Sequence, residues 1–517
     1  MDPLNRVNEF IIRQVGEFEP KGSNRCQLEK GQKVSKSEFH QTAPQRSPAA
    51  PATVERALAM HSHPRGHLRR CTNVHHVMQL HSLFIKSALD REPDALAGLI
   101  HLCAVSLVGL IDYARSIFDH SHGRSSLFAW NALFRGYSRN RLSPSSLVFS
   151  SSTKCIQLFN QFRRSGVLPD NFTFPFVLKA CSSSLMLGVG KQIHSVVLKM
   201  GFARDLHVLN TLVGMYGACG SIEEARKVFD EIPETDTVSW SSIMAAYVHR
   251  GLYADALLAF CDMKFASVMP NSITYVSLLS ACSGLDSLRL GESVHNQIIV
   301  NGIGLDAPLG TALLNMYASC GKVNSAFQVF NGLVVKNLAT WTAMISASAK
   351  HGRAEETVAL FSRMQLENFE PDSMAFTIIL SACSHLGLVG EGRRLFDNMR
   401  DTFNIEPTME HYGCMVDMLG RAGMLDEAYE FMMKMPFKPN SVILRSFVGS
   451  CRSHSRFVGV DEGMMKLLEV DPDLGANYVL AANIAALSGR WDNTTKYRRI
   501  MKEKKLKKTA GCSLVKL

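Results

Sequence analysis

The sequence lacks most of the signals that mark a reactive centre. None of its 18 histidines begins an HxE triplet, and no two of its 13 cysteines form a CxxC pair. A zinc deaminase needs both motifs, so these residues are not expected to deaminate, and a CxxC redox pair is excluded too. No P-loop and no GxSxG elbow occurs. Long apolar runs are also missing. The most apolar stretch, residues 96–111 (LAGLIHLCAVSLVGLI), contains His101 and is better explained by buried helices. A spanning helix would need about 18–20 such residues. Nothing resembles a secretory signal. Scattered cysteines argue against a disulfide framework and fit a reducing interior.

What is present is a folding composition, 46% apolar and 20% charged. Basic residues outnumber acidic ones, 56 to 46. That excess suits a polyanionic partner without identifying one. A chain of 517 residues exceeds one ordinary core. A repeat array escapes that limit because each unit packs only on its neighbours.

Such an array is written in the sequence. Trp240 returns as Trp341, Tyr216 as Tyr317 and Phe229 as Phe330, each 101 residues later. Ala180-Cys181 returns as Ala281-Cys282 and Ala382-Cys383 at the same spacing. Four series with one offset mean an internal repeat. The shared cysteine position reads as a small side chain buried at a helix contact. Within residues 338–372, Trp341, Met344 and Ile345 stand at helical spacing, followed by the break Lys350-His351-Gly352. Thr357, Leu360, Phe361 and Met364 mark a second amphipathic helix, and Pro371 closes the unit. Neither helix can bury its stripe alone, so hairpins must stack. The expected fold is all-α: a right-handed superhelical solenoid of helix-turn-helix repeats with an inner groove.

The register gives nine units over 127–440: 127–170, 171–205, 206–236, 237–271, 272–306, 307–337, 338–372, 373–408 and 409–440. Unit 127–170 exceeds the standard 35 residues by nine, expected in its inter-helix turn around SPSSLVFSS. Residues 67–126 hold degenerate repeats, including a unit over 93–126 with about two extra residues for which loops have room. Residues 1–66 read as a disordered leader or a transit segment, with a Pro/Ala-rich tract at 41–53. Nine Lys/Arg against seven Asp/Glu in the first 60 residues is more acid than transit peptides usually carry.

Units of 35, 35 and 31 residues with these signatures resemble the plant pentatricopeptide repeat family, in its P-L-S subclass. NFTFPFVLKACSSSLMLGVGKQIHSVVLKMGFARD looks like its long type and NTLVGMYGACGSIEEARKVFDEIPETD like its short type. TVSWSSIMAAYVHRGLYADALLAFCDMKFASVMPN looks like its standard type. Residues 409–440 resemble the special last short repeat, and 441–517 the C-terminal E extension. The chain stops after GCSLVKL, where related proteins continue into a DYW deaminase domain. Leu444, Ala485 and Leu514 depart from the usual Trp, Tyr and Trp of that extension. The extension itself reads as a further pair of helices with a basic end, Lys502–Lys508. That run reads as a solvated helix face, with phosphate contact as the alternative. Paired carboxylates such as Glu223-Glu224 read as surface.

A helical repeat reader presents two or three side chains to each base. The fifth and last positions of the standard and short units fit that task. They are Asn131/Asp170, Asn210/Asp236, Ser241/Asn271, Thr311/Asn337 and Thr342/Asp372. Polar residues within a first helix are unexpected for a core, although Asp and Asn at unit ends also suit turns and helix caps. Stacking on neighbouring apolar side chains would add ~1–3 kcal/mol per base. The resemblance implies U for the two Asn/Asp pairs, A for Ser241/Asn271 and Thr311/Asn337, and G for Thr342/Asp372. Pro175 and Val276 should read poorly, and Thr377/Thr408 and Gly413/Asn440 are left unassigned. The implied target is U-n-U-A-n-A-G-n-n, with the edited cytidine four nucleotides beyond the last unit's base.

The resemblance implies a non-enzymatic recognition factor for organellar C-to-U RNA editing. Its partners would be single-stranded organellar RNA and a DYW-type deaminase, or other editing factors, recruited in trans through 441–517. No cofactor, metal or membrane is called for. Mitochondrion is the first expectation for location and chloroplast the alternative. Two other readings stay open: RNA stabilisation, splicing or translation without editing, and a protein-binding scaffold.

Overall fold

The computed structural model describes residues 73–506, apart from 88, 90, 91, 108, 121–125, 140–144 and 455–459. Side chains of 145–150 and 460–462 also lie outside the description. The leader at 1–66, with its tract at 41–53, and the tail at 507–517 with Leu514 are therefore beyond the described residues. The chain forms two compact units, Met1–Ala281 and Cys282–Leu517. Among the described residues every regular element is a helix, and the all-α hairpin repeat is what is observed.

In the first compact unit the helices follow one another as hairpins. Pro93–His101 is followed by Ile111–His120, Leu127–Arg139 by Ser145–Arg164, and Thr173–Ser183 by Leu187–Lys199. Leu206–Ala218 is followed by Ile222–Asp230, and Thr237–His249 by Tyr253–Phe265. Val74–Lys86 precedes them all, inside the stretch 67–126. The second compact unit repeats the arrangement, from Leu288–Val300 through Ala307–Ser319 and Val323–Gly332 to Leu425–Met433. The division falls inside helix Ser272–Gly284.

The difference between units of 35 and 31 residues has a simple physical form. Second helices of standard units, Tyr253–Phe265 and Ala354–Leu366, hold 13 residues, whereas Ile222–Asp230 and Leu425–Met433 hold 9. Four residues are about one helical turn. A short unit is thus a standard unit with one turn removed from its second helix. Several hairpins bend at a glycine such as Gly220 or Gly352, whose φ of 82° and 71° favours that residue, whereas units 171–205 and 272–306 carry Leu185 and Asp286 there at φ of 53° and 50°.

The landmark residues hold consecutive units together. Trp240 packs edge-to-face on Phe229 at 4.9 Å, and Trp341 on Phe330 at 4.8 Å, each across a unit boundary. Tyr216 and Tyr317 meet His194 and His295 at the same 2.9 Å. Cys181, Cys282 and Cys383 are wholly buried, as their shared position implied.

Four expectations need correction. The extra residues of unit 127–170 are not a turn insertion alone, because Ser145–Arg164 is a 20-residue helix that takes in SSLVFSS. Continuing a helix pairs each added backbone group, which a loop would leave to water. In unit 93–126 the surplus sits in a π-helical turn, Leu102–Ser106, at the end of the first helix. Such a bulge absorbs extra residues without ending the helix. The region after 440 contains two helix pairs among the described residues rather than one. Ser441–Ser453 with Val460–Val470 precedes Gly475–Leu487 with Trp491–Glu503. Leu444 and Ala485 are buried there, 1% and 3% exposed, so the departures from larger aromatics fill core positions. Lys504 is not merely solvated: its ammonium donates to the Pro472 carbonyl at 3.1 Å and lies over the Tyr478 ring. Lys507 and Lys508 are outside the described residues.

Candidate RNA-reading site

Each last-position residue stands just before, or caps, the first helix of the following unit. Asp236, Asn337 and Asp372 are helix N-caps whose side chains accept from the backbone N–H of Ser239, Thr340 and Ala375. The capping role that the sequence allowed for these residues is therefore real. It does not exhaust them, because in four of the five pairs the last residue is linked to the fifth residue of its own unit, directly or through a third side chain.

In unit 127–170, the Asn131 amide Nδ2 donates to Asp170 Oδ1 and Oδ2 at 3.0 and 3.2 Å. In unit 206–236, Asn210 Nδ2 donates to Asp236 Oδ1 at 3.3 Å. Elsewhere the link is indirect. Ser241 Oγ is 2.9 Å from Thr274 Oγ1, which donates to Asn271 Oδ1 at 3.1 Å. Thr311 Oγ1 is 2.9 Å from Thr340 Oγ1, which donates to Asn337 Oδ1 at 2.9 Å. Thr342 and Asp372 form no such link. Thr342 donates to the Leu338 carbonyl, while Asp372 accepts from Ala375 N–H.

These contacts decide what each last residue offers outward. Asn271 Oδ1 accepts from both the backbone N–H and the hydroxyl of Thr274, so the amide is oriented by a donor that only oxygen can meet. Its Nδ2 is left as a free donor, and Asn337 is oriented identically by Thr340. Asp236 Oδ1 accepts from Ser239 N–H and hydroxyl and from Asn210, leaving Oδ2 as an acceptor. Burial alone would raise the Asp236 pKa, but those hydrogen bonds together outweigh it, and the carboxyl lies below its ordinary range. Asparagine at the last position thus presents a donor and aspartate an acceptor.

The fifth positions differ in depth. Asn131, Thr311 and Thr342 are half-buried, whereas Asn210 and Ser241 are only 7% and 5% exposed. Asn210 Oδ1 is buried with no hydrogen-bond partner in the chain. Pro175 is buried and Val276 half-buried, with no polar group to offer. A Cβ at Gly413 would meet Ile443 in ordinary contact, 3.5 Å from its Cγ1. Thr377 is linked to Thr408 through His411, whose Nδ1 accepts from Thr408 N–H at 2.9 Å.

Two sets of residues were not singled out from the sequence. The second position of several units carries an apolar side chain more than half exposed: Phe128, Phe172, Val238, Ile273, Met374 and Val442. The third position carries the relays Thr173, Ser239, Thr274, Thr340 and His411. A Ser or Thr three residues past Asp or Asn was the available signal for the second set. For the first set it was an apolar residue recurring outside the buried stripe.

His411 is fully buried, with Nε2 2.8 Å from the Ser373 carbonyl. Burial holds its pKa below the ordinary value. The unfolded chain takes up this proton first, so His411 contributes fully above about pH 6.5. That contribution is lost as pH falls from there through the lower folded-state value. His194 and His295 are shifted in the same direction, chiefly by burial. His411→Thr, which restores the residue type of the other relays, should flatten but not abolish the fall in unfolding midpoint between pH 7.5 and 5.5. Denaturant titration at several pH values checks it.

Among the described residues no group of three His, Cys, Asp or Glu could hold a metal ion, and no helix is long and apolar enough to cross a membrane. Glu223 is exposed as expected, while Glu224 is half-buried and bonded to Ser221.

The chain is similar to known proteins over most of its length. The PPR repeat family profile matches residues 235–284 and 336–385, and the PPR repeat profile matches 207–235, 311–338, 374–401 and 410–438. The E motif matches 460–516. One Arabidopsis thaliana pentatricopeptide repeat-containing protein, named as chloroplastic/mitochondrial, is 36% identical over 493 residues, 92% of this chain and 76% of its own. A second from that plant is 35% identical over 505 residues, 88% and 77% of the two chains. Among solved structures, PPR10 in complex with an 18-nucleotide psaJ RNA element aligns with a TM-score of 0.54 at 14% identity, over 86% of this chain and 78% of that one.

Proposed function

This chain belongs to the pentatricopeptide repeat family, and from that premise we propose that it reads single-stranded RNA base by base and serves as a site-recognition factor in organellar C-to-U editing. The observation that carries the reading is the oriented last-position side chain. Adenine presents a lone pair at the centre of its Watson–Crick edge, and an outward Asn amide N–H meets it. Uracil and guanine present an N–H there, and an outward Asp oxygen meets that. Asn271 and Asn337 accordingly select A. Asp170 and Asp236 select U with their Asn partners, and Asp372 selects G with Thr342. At the two deepest fifth positions, Asn210 and Ser241 back the last residue rather than meet the base directly. Phe172, Val238 and Ile273, each more than half exposed, would supply the apolar walls between bases.

The implied order is U-n-U-A-n-A-G-n-n from unit 127 onward. The chain itself performs no chemistry in this account. A deaminase acts in trans, recruited through 441–517, and the E motif there supports that assignment. The PPR10–RNA complex supports RNA as the ligand, and the relatives' names support a mitochondrion or chloroplast location. Organellar transcriptome sequencing of a loss-of-function plant tests the role. A single class of unedited cytidines downstream of the implied motif is expected, and complete editing everywhere contradicts it.

RNA affinity should also fall as salt rises, because phosphate neutralisation releases counterions. Lys350, exposed at the end of a first helix, is placed for such a contact. Lys350→Glu should weaken all RNA sequences alike and lower the log–log salt slope by about one. Fluorescence anisotropy at four salt concentrations measures this.

A further inference from the structure

We propose that the third residue of each unit is a positioning residue for base selection by the unit before it. The inference rests on the base-reading role above and deepens it, by locating part of each unit's specificity in its neighbour. The geometry is repeated. Thr173 Oγ1 lies 2.9 Å from Asn131 Oδ1 and 2.8 Å from Asp170 Oδ1. Thr274 bridges Ser241 to Asn271, and Thr340 bridges Thr311 to Asn337. Ser239 donates to the same Asp236 oxygen that Asn210 reaches. His411 does this work between Thr377 and Thr408 with an imidazole.

The sequence carries a second, independent observation. Where the fifth residue is Asn131, Asn210, Ser241, Thr311 or Thr377, the next unit's third residue is a hydroxyl or His. Where it is Pro175, Val276 or Gly413, the next third residue is Val208, Leu309 or Ile443. Helix capping alone does not require this matching. Asp205, Asp306 and Asn440 cap their helices perfectly well ahead of those apolar residues. The hydroxyl is therefore tied to the presence of a reading pair rather than to the cap.

The physical role follows from the second contact. A backbone N–H alone holds one oxygen of the cap, and the side chain can still swing about that bond. The hydroxyl fixes the same oxygen from another direction and couples it to the fifth residue. The outward atom then has one position, where a base edge of the wrong polarity meets it unpaired. Unit 338–372 breaks the rule. Thr342 is polar, but Ala375 follows, and Asp372 keeps only the backbone contact. This unit should discriminate least among the five reading pairs.

The test uses the full chain and four 18-nucleotide RNAs for each of two positions, differing only in the base facing unit 307–337 or unit 338–372. Thr340→Val should cut the preference for A at its nucleotide about tenfold, the worth of one well-made hydrogen bond. Thr340→Ser should restore it. Ala375→Thr should sharpen the preference for G at the next nucleotide. Uniform weakening at every nucleotide by Thr340→Val, or an unchanged preference in both Thr340→Val and Ala375→Thr, overturns the inference while leaving base reading intact. Absence of any preference in the parent chain overturns base reading, and this inference with it.

Discussion

A chain carrying Ser241→Asn and Asn271→Asp together is expected to exchange adenine for uracil at the fourth nucleotide of its target. Asn271 now presents Nδ2, because Thr274 occupies its oxygen from two sides. Aspartate in the same cap would keep one oxygen on Thr274 and turn the other outward. The outward group then changes from donor to acceptor. Adenine's lone pair would face an oxygen, and the uracil N–H would gain a partner. Losing one base-edge hydrogen bond and leaving its groups unpaired costs ~1–3 kcal/mol, or about five- to 160-fold in affinity. The cognate RNA should weaken by that factor and the U-substituted RNA should gain a similar one. Anisotropy titration of both RNAs against both chains measures it. Unchanged preference would show that the cap residue does not face the base.

The second large effect concerns packing between first helices. Gly217, near the end of Leu206–Ala218, has no room for a side chain. A Cβ there would lie 2.3 Å from Ala246 Cβ and 3.0 Å from its Cα. The backbone of Thr237–His249 cannot yield as a flexible side chain could. Gly217→Ala should therefore destabilise by ~1–3 kcal/mol through overpacking, despite the better helix propensity of alanine. Gly214, one turn earlier in the same helix, has nothing within 4 Å of where a Cβ would stand. Gly214→Ala should stabilise by roughly 0.5–1 kcal/mol. Opposite signs for neighbouring glycines, read by denaturant unfolding, separate propensity from contact. Equal signs would mean that the two helices are not packed at Gly217.

The repeat was legible because it is periodic twice over, in helical spacing and in the 101-residue return of Trp, Tyr, Phe and Cys. Any chain segment that must bury one stripe reveals it through spacing. Local insertions were less legible. The sequence around SPSSLVFSS looks like a loop, since Ser and Pro favour turns, yet tertiary contacts of Cys155, Leu158, Phe159 and Phe162 anchor a long helix that extends back through it. The hairpins beyond 440 follow the same packing logic but with weaker periodicity, which hides one of the two pairs.

For the candidate residues, the shared register was legible in the sequence and their depth was not. Asn131 and Asn210 occupy the same register and carry the same side chain, but one is half-buried and the other nearly closed off. Depth depends on the neighbouring units' side chains, and no single unit's sequence contains that information. The relay hydroxyls were visible in the sequence as Asp or Asn followed three residues later by Thr or Ser. Their pattern suited helix capping so well that their link to the fifth residue emerges only in three dimensions.

Binding to a scanned RNA tests the central claim most directly. Each nucleotide of U-n-U-A-n-A-G-n-n is changed in turn and the affinity of the full chain measured at one fixed salt concentration. Losses are expected at the first, third, fourth, sixth and seventh nucleotides, with little change at the second and fifth, which face Pro175 and Val276. An even response along the RNA, or none at all, would contradict base reading by the oriented caps.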